Sequence, residues 1–310
     1  MTDDQMQRTD IPQDKNRTMG EAFTMTDYKN NARNHLKVNL HLTETCNYRC
    51  RYCFAHFENG SDLPLEGWKQ IVDNLEESGL VRAINFAGGE PVLYPGFVPL
   101  FQYCFDQGFL LSIITNGSFL RREALFPRSF FSMLDVLGIS VDSFSPETLR
   151  RLGCCTPSGE ILSRQAFLAT IRLALSENPR LKIKVNTVVS AFNVTESLAG
   201  LAQEAGLARW KFLKVKPFVT HGGCGNQDLL ISDRQFQDFC KRNEPSNGCG
   251  VAEAEMRNTY ILIDNHGNLL DSSAPSYTVV ANLLEEPFED VFRRYQLNVE
   301  EYEKRYDHIA

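Results

Sequence analysis

The stretch VNLHL–TETCNYRCRYCF, residues 38–54, joins a short alternating β run to three closely spaced cysteines. Cys46, Cys50 and Cys53 form a CxxxCxxC array where the strand gives way to a loop entering a helical turn. These spacings bring three thiolates around one point. A cubane [4Fe–4S] cluster normally takes four Cys ligands, so three would leave one iron open to a non-protein ligand. Zinc is the competing reading. It usually wants four protein ligands and paired knuckles, and His41 or His56 could complete the set. Purely structural thiols fit poorly, because packing does not ask for three cysteines in eight residues.

Beyond this segment, β-rich runs alternate with amphipathic ones. Candidate strands are 38–42, 83–87, 110–114, 136–141, 181–189 and 209–215. Candidate helices lie near 65–79, 95–107, 118–126, 145–151, 163–177 and 194–205. Repeated strand-then-helix units predict parallel strands with right-handed crossovers. The fold expected is α/β, a partial (β/α)6 barrel with its chemistry at the C-terminal strand ends. A helix near 232–243 follows a Gly-rich loop (221–228), and 259–271 reads as a hairpin turning at Asn265–Gly267. The organisation expected is a flexible N-terminal tail (1–34), the barrel (35–216) and an extension (217–310) covering the active site.

Composition narrows the function. The 310 residues carry a net charge of −7, which opposes binding to a nucleic-acid polymer but allows a local basic pocket. No apolar run approaches the roughly 20 residues of a membrane span, and the N-terminus lacks a signal-peptide core. Nine cysteines, an odd number, in a long chain without an export signal point to reduced cytoplasmic thiols.

The later strand ends carry further signals. In the fifth strand Lys182, Lys184 and Asn186 alternate with Leu181, Ile183 and Val185; in the sixth, Arg209 and Lys211 alternate with Trp210 and Phe212. A barrel strand packs its apolar face against helices, so the cationic face points inward. There Lys and Arg are rarely buried without partners, and a polyanion such as a triphosphate resolves the arrangement. A solvated edge with snorkelling side chains is the bland alternative.

The CxxxCxxC array resembles the signature of the radical S-adenosylmethionine superfamily. That resemblance implies a [4Fe–4S] cluster on Cys46, Cys50 and Cys53, with S-adenosyl-L-methionine on the open iron. It also implies reductive cleavage of the sulfonium to a 5′-deoxyadenosyl radical. Gly88-Gly89-Glu90, about 35 residues after the array, matches the motif that binds the methionine amino group. Asn116 and Ser140 match positions that contact its ribose and carboxylate; singly, each also reads as turn or cap chemistry.

A narrower resemblance runs from about residue 36 through CNYRCRYCF, INFAGGEP, TNGSF, ISVDSF, IKVNTVVSAFNV, RWKFLK and TYILID. These segments are similar to those of the viperin family, prokaryotic members included. The resemblance implies conversion of a nucleoside triphosphate (CTP, with UTP and GTP as alternatives) to its 3′-deoxy-3′,4′-didehydro analogue, an antiviral nucleotide. Hydrogen abstraction at C4′, loss of the 3′-hydroxyl as water, and addition of an electron and a proton complete the implied reaction. Asn39, His41, Lys184, Asn186, Arg209 and Lys211 match substrate-contacting positions, and Tyr260 a tyrosine proposed to donate hydrogen. A flavodoxin- or ferredoxin-type electron donor is implied.

Two departures touch these contacts. Animal members carry a Lys where this chain has Ala83, with Arg82 one position away on the wrong face, and an Arg near Gly153-Cys154-Cys155. The rival functions are a radical enzyme acting on a peptide or small metabolite, and a non-enzymatic binder that sequesters a partner. Peptide modifiers often carry a second Cys-rich C-terminal domain. Here Cys104, Cys154, Cys155, Cys224, Cys240 and Cys249 lack compact ligand spacing.

Overall fold

The computed structural model describes residues 36–53, 61–217, 225–253, 258–273 and 277–306. The expected tail (1–34), His56, Cys224 and positions 221–224 of the Gly-rich loop lie outside them. In chain order the first half runs β1 (Leu36–His41), α1 (Leu65–Glu77), β2 (Val81–Ala87), α2 (Phe97–Asp106), β3 (Leu110–Thr115), α3 (Phe130–Met133) and β4 (Leu134–Ser140). Then come α4 (Pro146–Leu152), α5 (Arg164–Glu177), β5 (Lys182–Val189), α6 (Leu201–Glu204), β6 (Leu207–Lys214) and α7 (Asp233–Asn243). Last are β7 (Gly250–Glu253), β8 (Ile261–Ile263), β9 (Asn268–Asp271), β10 (Thr278–Asn282), α8 (Phe288–Arg294) and α9 (Val299–Tyr306).

All the strands belong to one sheet of order β10-β9-β8-β1-β2-β3-β4-β5-β6-β7. Neighbours from β8 through β1–β6 to β7 are parallel, and the β8–β9 and β9–β10 pairs are antiparallel. Each strand segregates its residues by alternation. On β1, Leu36, Val38 and Leu40 are fully buried in the hydrophobic core, while Lys37, Asn39 and His41 take the other face. Helix α1 meets that core through Trp68, Ile71, Val72 and Leu75, the i, i+3, i+4, i+7 stripe of an amphipathic helix. Phe86 of β2 packs on Phe97 and Phe101 of α2, and Phe212 of β6 on Phe239 of α7. Trp210, fully buried, sends its indole N–H to Thr187 at 2.9 Å, and Thr187 donates to Val141 O.

The opposite face is the interior, because the sheet is rolled. Strands β6 and β8 are separated by β1–β5 in the strand order, yet the Lys211 ammonium lies 5.8 Å from the centre of the Tyr260 ring, just before β8. A flat sheet would hold the two strands about 29 Å apart, six spacings of about 4.8 Å. The six predicted strands thus form the partial barrel, with cationic residues inward.

Two predicted helices are corrected. Residues 118–126 form successive turns, and the helix comes later, at α3. Phe119, Leu120 and Phe126 are all buried, and Pro127 withholds the next backbone donor. Of 194–205 only Leu201–Glu204 is helical. Gly200 and Gly206 bracket it, and Leu198 N is diverted to Asn243 Oδ1 at 2.6 Å. The predicted hairpin is β8–β9, with Asp264 Oδ1 accepting from His266 N and Asn268 N, both at 2.9 Å. Among the described residues no helix is long and apolar enough to cross a membrane.

Candidate active site

The three cysteines occupy the loop that leaves the C-terminal end of β1, and all are half-buried. The loop is clamped to the start of the segment after α4: Arg49 N donates to Gly153 O at 3.0 Å and Arg51 N to Leu152 O at 2.9 Å. Gly153 ends α4 in the left-handed region (φ +74°), and any Cβ there would strike Arg49 O. The departure at 153–155 is therefore a docking surface for the cysteine loop. Cys154 is buried, within 3.4 Å of both Asp142 Oδ2 and the Tyr52 hydroxyl, and its thiol also hydrogen-bonds Cys50. Tyr52 in turn donates to Asp142.

The Gly-Gly-Glu turn lies along the same loop. Gly89 N donates to Thr43 O at 2.6 Å and Glu90 N to Thr45 O at 2.8 Å. A Cβ on Gly88 would meet Thr43 O at 2.6 Å, and one on Gly89 would strike Thr45 O. The glycines thus serve the close approach of two backbones of this chain. Glu90 is fully buried, accepting from Thr115 Oγ1 at 2.7 Å and Asn116 N at 2.8 Å. Burial pushes its carboxyl up to about 7 against the lowering effect of those bonds. Asn116 reaches Asn47 at 2.9 Å and Cys46 Sγ at 3.9 Å. So β2, β3 and the cysteine loop are tied at one end of the barrel.

On the interior face, register aligns Ser140 with Asn186, Lys184 with Arg209, and Asn186 with Lys211. Arg209 and Lys211 are only 5% and 2% exposed. The side-chain oxygen of Asn186 is buried without a hydrogen-bond partner among the described residues, a costly state that a ligand donor would relieve. Burial pulls the His41 imidazole down to about 4, so it is neutral at physiological pH. Asn39 is less available than the sequence implies. It accepts from Asn85 Nδ2 at 2.9 Å and donates to Ile261 O at 3.2 Å, and Ser112 completes the ladder on Asn85. Tyr260 is half-buried and fixed through its carbonyl, which accepts from the Tyr295 hydroxyl at 3.0 Å. Arg82 points outward and donates to Gly108 O at 2.9 Å.

Among the described residues no three or more His, Cys, Asp and Glu side chains are arranged to hold a single metal ion. A cubane asks for something else, one thiolate on each of three irons. Burial pushes the bare Cys46 thiol up to about 11, with Glu90 adding to the effect; a thiolate there needs compensating iron. Three half-buried cysteines on one loop are the donor type that such a cluster takes.

Residues 40–189 match the Radical SAM superfamily. An S-adenosylmethionine-dependent nucleotide dehydratase of Selenomonas ruminantium is 48% identical over 270 residues, 87% of this chain and 98% of its own length. The chain belongs to the S-adenosylmethionine-dependent nucleotide dehydratases. Another dehydratase of this family, from Oncorhynchus mykiss, is 34% identical over 76% of this chain and 68% of its own. Among solved structures, Streptococcus suis SuiB bound to its precursor peptide superposes with a TM-score of 0.63. It is 16% identical, with 86% of this chain and 66% of SuiB covered. Native anSMEcpe with bound AdoMet and a peptide gives 0.60 at 15% identity over 86% and 82%. These two share the radical SAM fold with the dehydratases. The dehydratase cofactors are a [4Fe–4S] cluster and S-adenosylmethionine, as the cysteine array implied.

Proposed function

We propose that this dehydratase converts a nucleoside triphosphate to its 3′-deoxy-3′,4′-didehydro analogue, with CTP as the first candidate and UTP and GTP as alternatives. The carrying observation is the interior wall of β5 and β6, which presents Lys184, Asn186, Arg209 and Lys211 to one cavity beside Tyr260. This set suits a triphosphate and a ribose; a peptide backbone would call for fewer cations. Cys46, Cys50 and Cys53 would hold the cluster, and Gly88, Gly89, Glu90, Asn116 and Ser140 would line the S-adenosylmethionine site. When bound, these cofactors supply hydrogen-atom abstraction at the substrate ribose.

The chain's own residues do the rest. Arg209 and Lys211 hold the phosphates, Asn186 orients the sugar, and Asn39 and His41 bound the cavity from β1. Neutral His41 can accept or donate a hydrogen bond without adding charge. Tyr260, beside the Lys211 ammonium, would return a hydrogen to the substrate. The 217–310 extension is read as the cover of the barrel mouth, and a flavodoxin- or ferredoxin-type protein in the cytoplasm as the electron source.

The test is anaerobic incubation of the reconstituted enzyme with S-adenosylmethionine, reductant and each nucleotide in turn, with products read by mass spectrometry. The expected product is one triphosphate short of one water, formed together with 5′-deoxyadenosine. Release of 5′-deoxyadenosine that no nucleoside triphosphate influences would overturn the substrate reading.

A further inference from the structure

Lys37 lies on β1 two residues before Asn39, on the same inward face. In register it stands opposite Ala83 of β2, whose methyl group leaves room for a long neighbour. Its side chain is held among charges from the far side of the barrel. Burial draws the ammonium down to about 8; Asp135 of β4 opposes this, while Arg209 of β6 and Lys182 of β5 reinforce it. In strand order β1 and β6 are separated by β2–β5. The repulsion between Lys37 and Arg209 therefore acts across the barrel interior, not along the sheet.

The backbone of Lys37 is anchored twice by one side chain. Its N–H donates to the Tyr302 hydroxyl at 2.5 Å, and its carbonyl accepts from the same hydroxyl at 3.3 Å. A flexible lysine thus springs from a fixed point. Along β1 the order from the cysteine loop inward is His41, Asn39, Lys37. At about 3.3 Å per residue, Lys37 Cα sits some 13 Å deeper than His41. A substrate with its ribose near the cysteines and its phosphates on Arg209 and Lys211 would send its last phosphate toward this deep end.

We propose that Lys37 is a substrate-binding residue that takes the terminal phosphate of the nucleoside triphosphate, supplying from β1 a cation at the level where β2 has only Ala83. This assignment rests on the substrate reading above. Lys37, Lys182 and Arg209 outnumber the single carboxylate of Asp135 among the charges that act there, which makes the deep end of the cavity attractive to a polyanion. Lys37 then selects for phosphate chain length, while the base is recognised elsewhere.

The test uses cluster-loaded enzyme with S-adenosylmethionine and no reductant, measuring equilibrium binding of the accepted nucleoside triphosphate and of its diphosphate. Lys37→Met keeps the apolar stem, and Lys37→Arg keeps the charge. The expected result is a Kd for the triphosphate raised about tenfold or more in Lys37→Met, or 1.4 kcal/mol. The diphosphate Kd should change less than about twofold, and Lys37→Arg should recover most of the loss. Equal weakening of both nucleotides, or none, would overturn the assignment to the terminal phosphate. Wild-type enzyme that binds no nucleoside triphosphate would instead sink the substrate reading. Thermal melts of both variants separate misfolding from lost binding, since a structural defect weakens both nucleotides alike.

Discussion

At the scale of single residues, His41 and Gly153 make opposite kinds of demand. His41 is buried and its imidazole is held down at about 4 against 6.5 when unfolded. On acidification the unfolded chain therefore takes up this proton first. The stability that neutral His41 allows is complete above pH 6.5 and is lost as pH falls toward 4, by about 3 kcal/mol. Buried Glu90 and Asp142, raised to about 7 and about 6, act in the opposite sense and weaken folding as pH rises. Comparing urea midpoints of wild type and His41→Gln from pH 7 to 4.5 isolates the histidine. The variant should lose less stability on acidification, and parallel curves would refute the buried neutral imidazole.

Gly153 is constrained by space. Gly153→Ala adds both the left-handed backbone cost of about 1–2 kcal/mol and a clash with Arg49 O. Gly159 has a similar φ of +81°, but its nearest neighbour, Arg150 Nε, is 3.9 Å from the would-be Cβ. Gly159→Ala therefore isolates the backbone cost. Iron bound per chain after reconstitution should fall in Gly153→Ala and stay near wild type in Gly159→Ala. Equal iron in both would mean that the cysteine loop does not depend on this docking. Nothing in the sequence around Gly153-Cys154-Cys155 announced it, because the partner backbone is about a hundred residues away.

At the scale of elements, alternation was legible where it decides structure alone. Helix α7 opens with Ser232 and Gln235 in a capping box, each side chain serving the other's backbone. Ser232→Ala should cost about 1 kcal/mol in chemical denaturation, with an unchanged denaturant slope. The helix packs on the sheet through Phe239 against Phe212, and Asp233 in its first turn pairs with Lys214 of β6 at 2.6 Å. The failures at 118–126 and 194–205 share a cause. Amphipathic composition there buries side chains on turns, while Pro127, Gly200 and the Asn243 side chain break the hydrogen-bond ladder. Strands β7 and β10 escaped for another reason. They are short and mixed in polarity, and they exist because an edge strand offers them partners.

At the scale of the whole molecule, the C-terminal segment does more than extend the chain. Strand β8 closes on β1, Tyr295 fixes the Tyr260 carbonyl, and Tyr302 caps the Lys37 peptide group. Tyr302→Phe removes the acceptor for a part-buried N–H and should cost about 1–3 kcal/mol. If the anchor also positions the lysine, triphosphate affinity should drop in the same variant. Intact affinity with reduced stability would show that the tyrosine serves folding alone.

The sequence by itself determined the cysteine spacing, the six alternating strands and which face of β5 and β6 carries charge, since each is written in neighbours a few residues apart. It also carried the motifs that separate this family from its cousins. Only the tertiary structure decided that the charged faces of β1 and β6 look at each other, that Lys37 stands over Ala83, and that the Gly88-Gly89 turn and Gly153 both dock the cysteine loop. Those facts depend on how far a parallel sheet curls and on the register between distant strands, and periodicity within one strand carries neither.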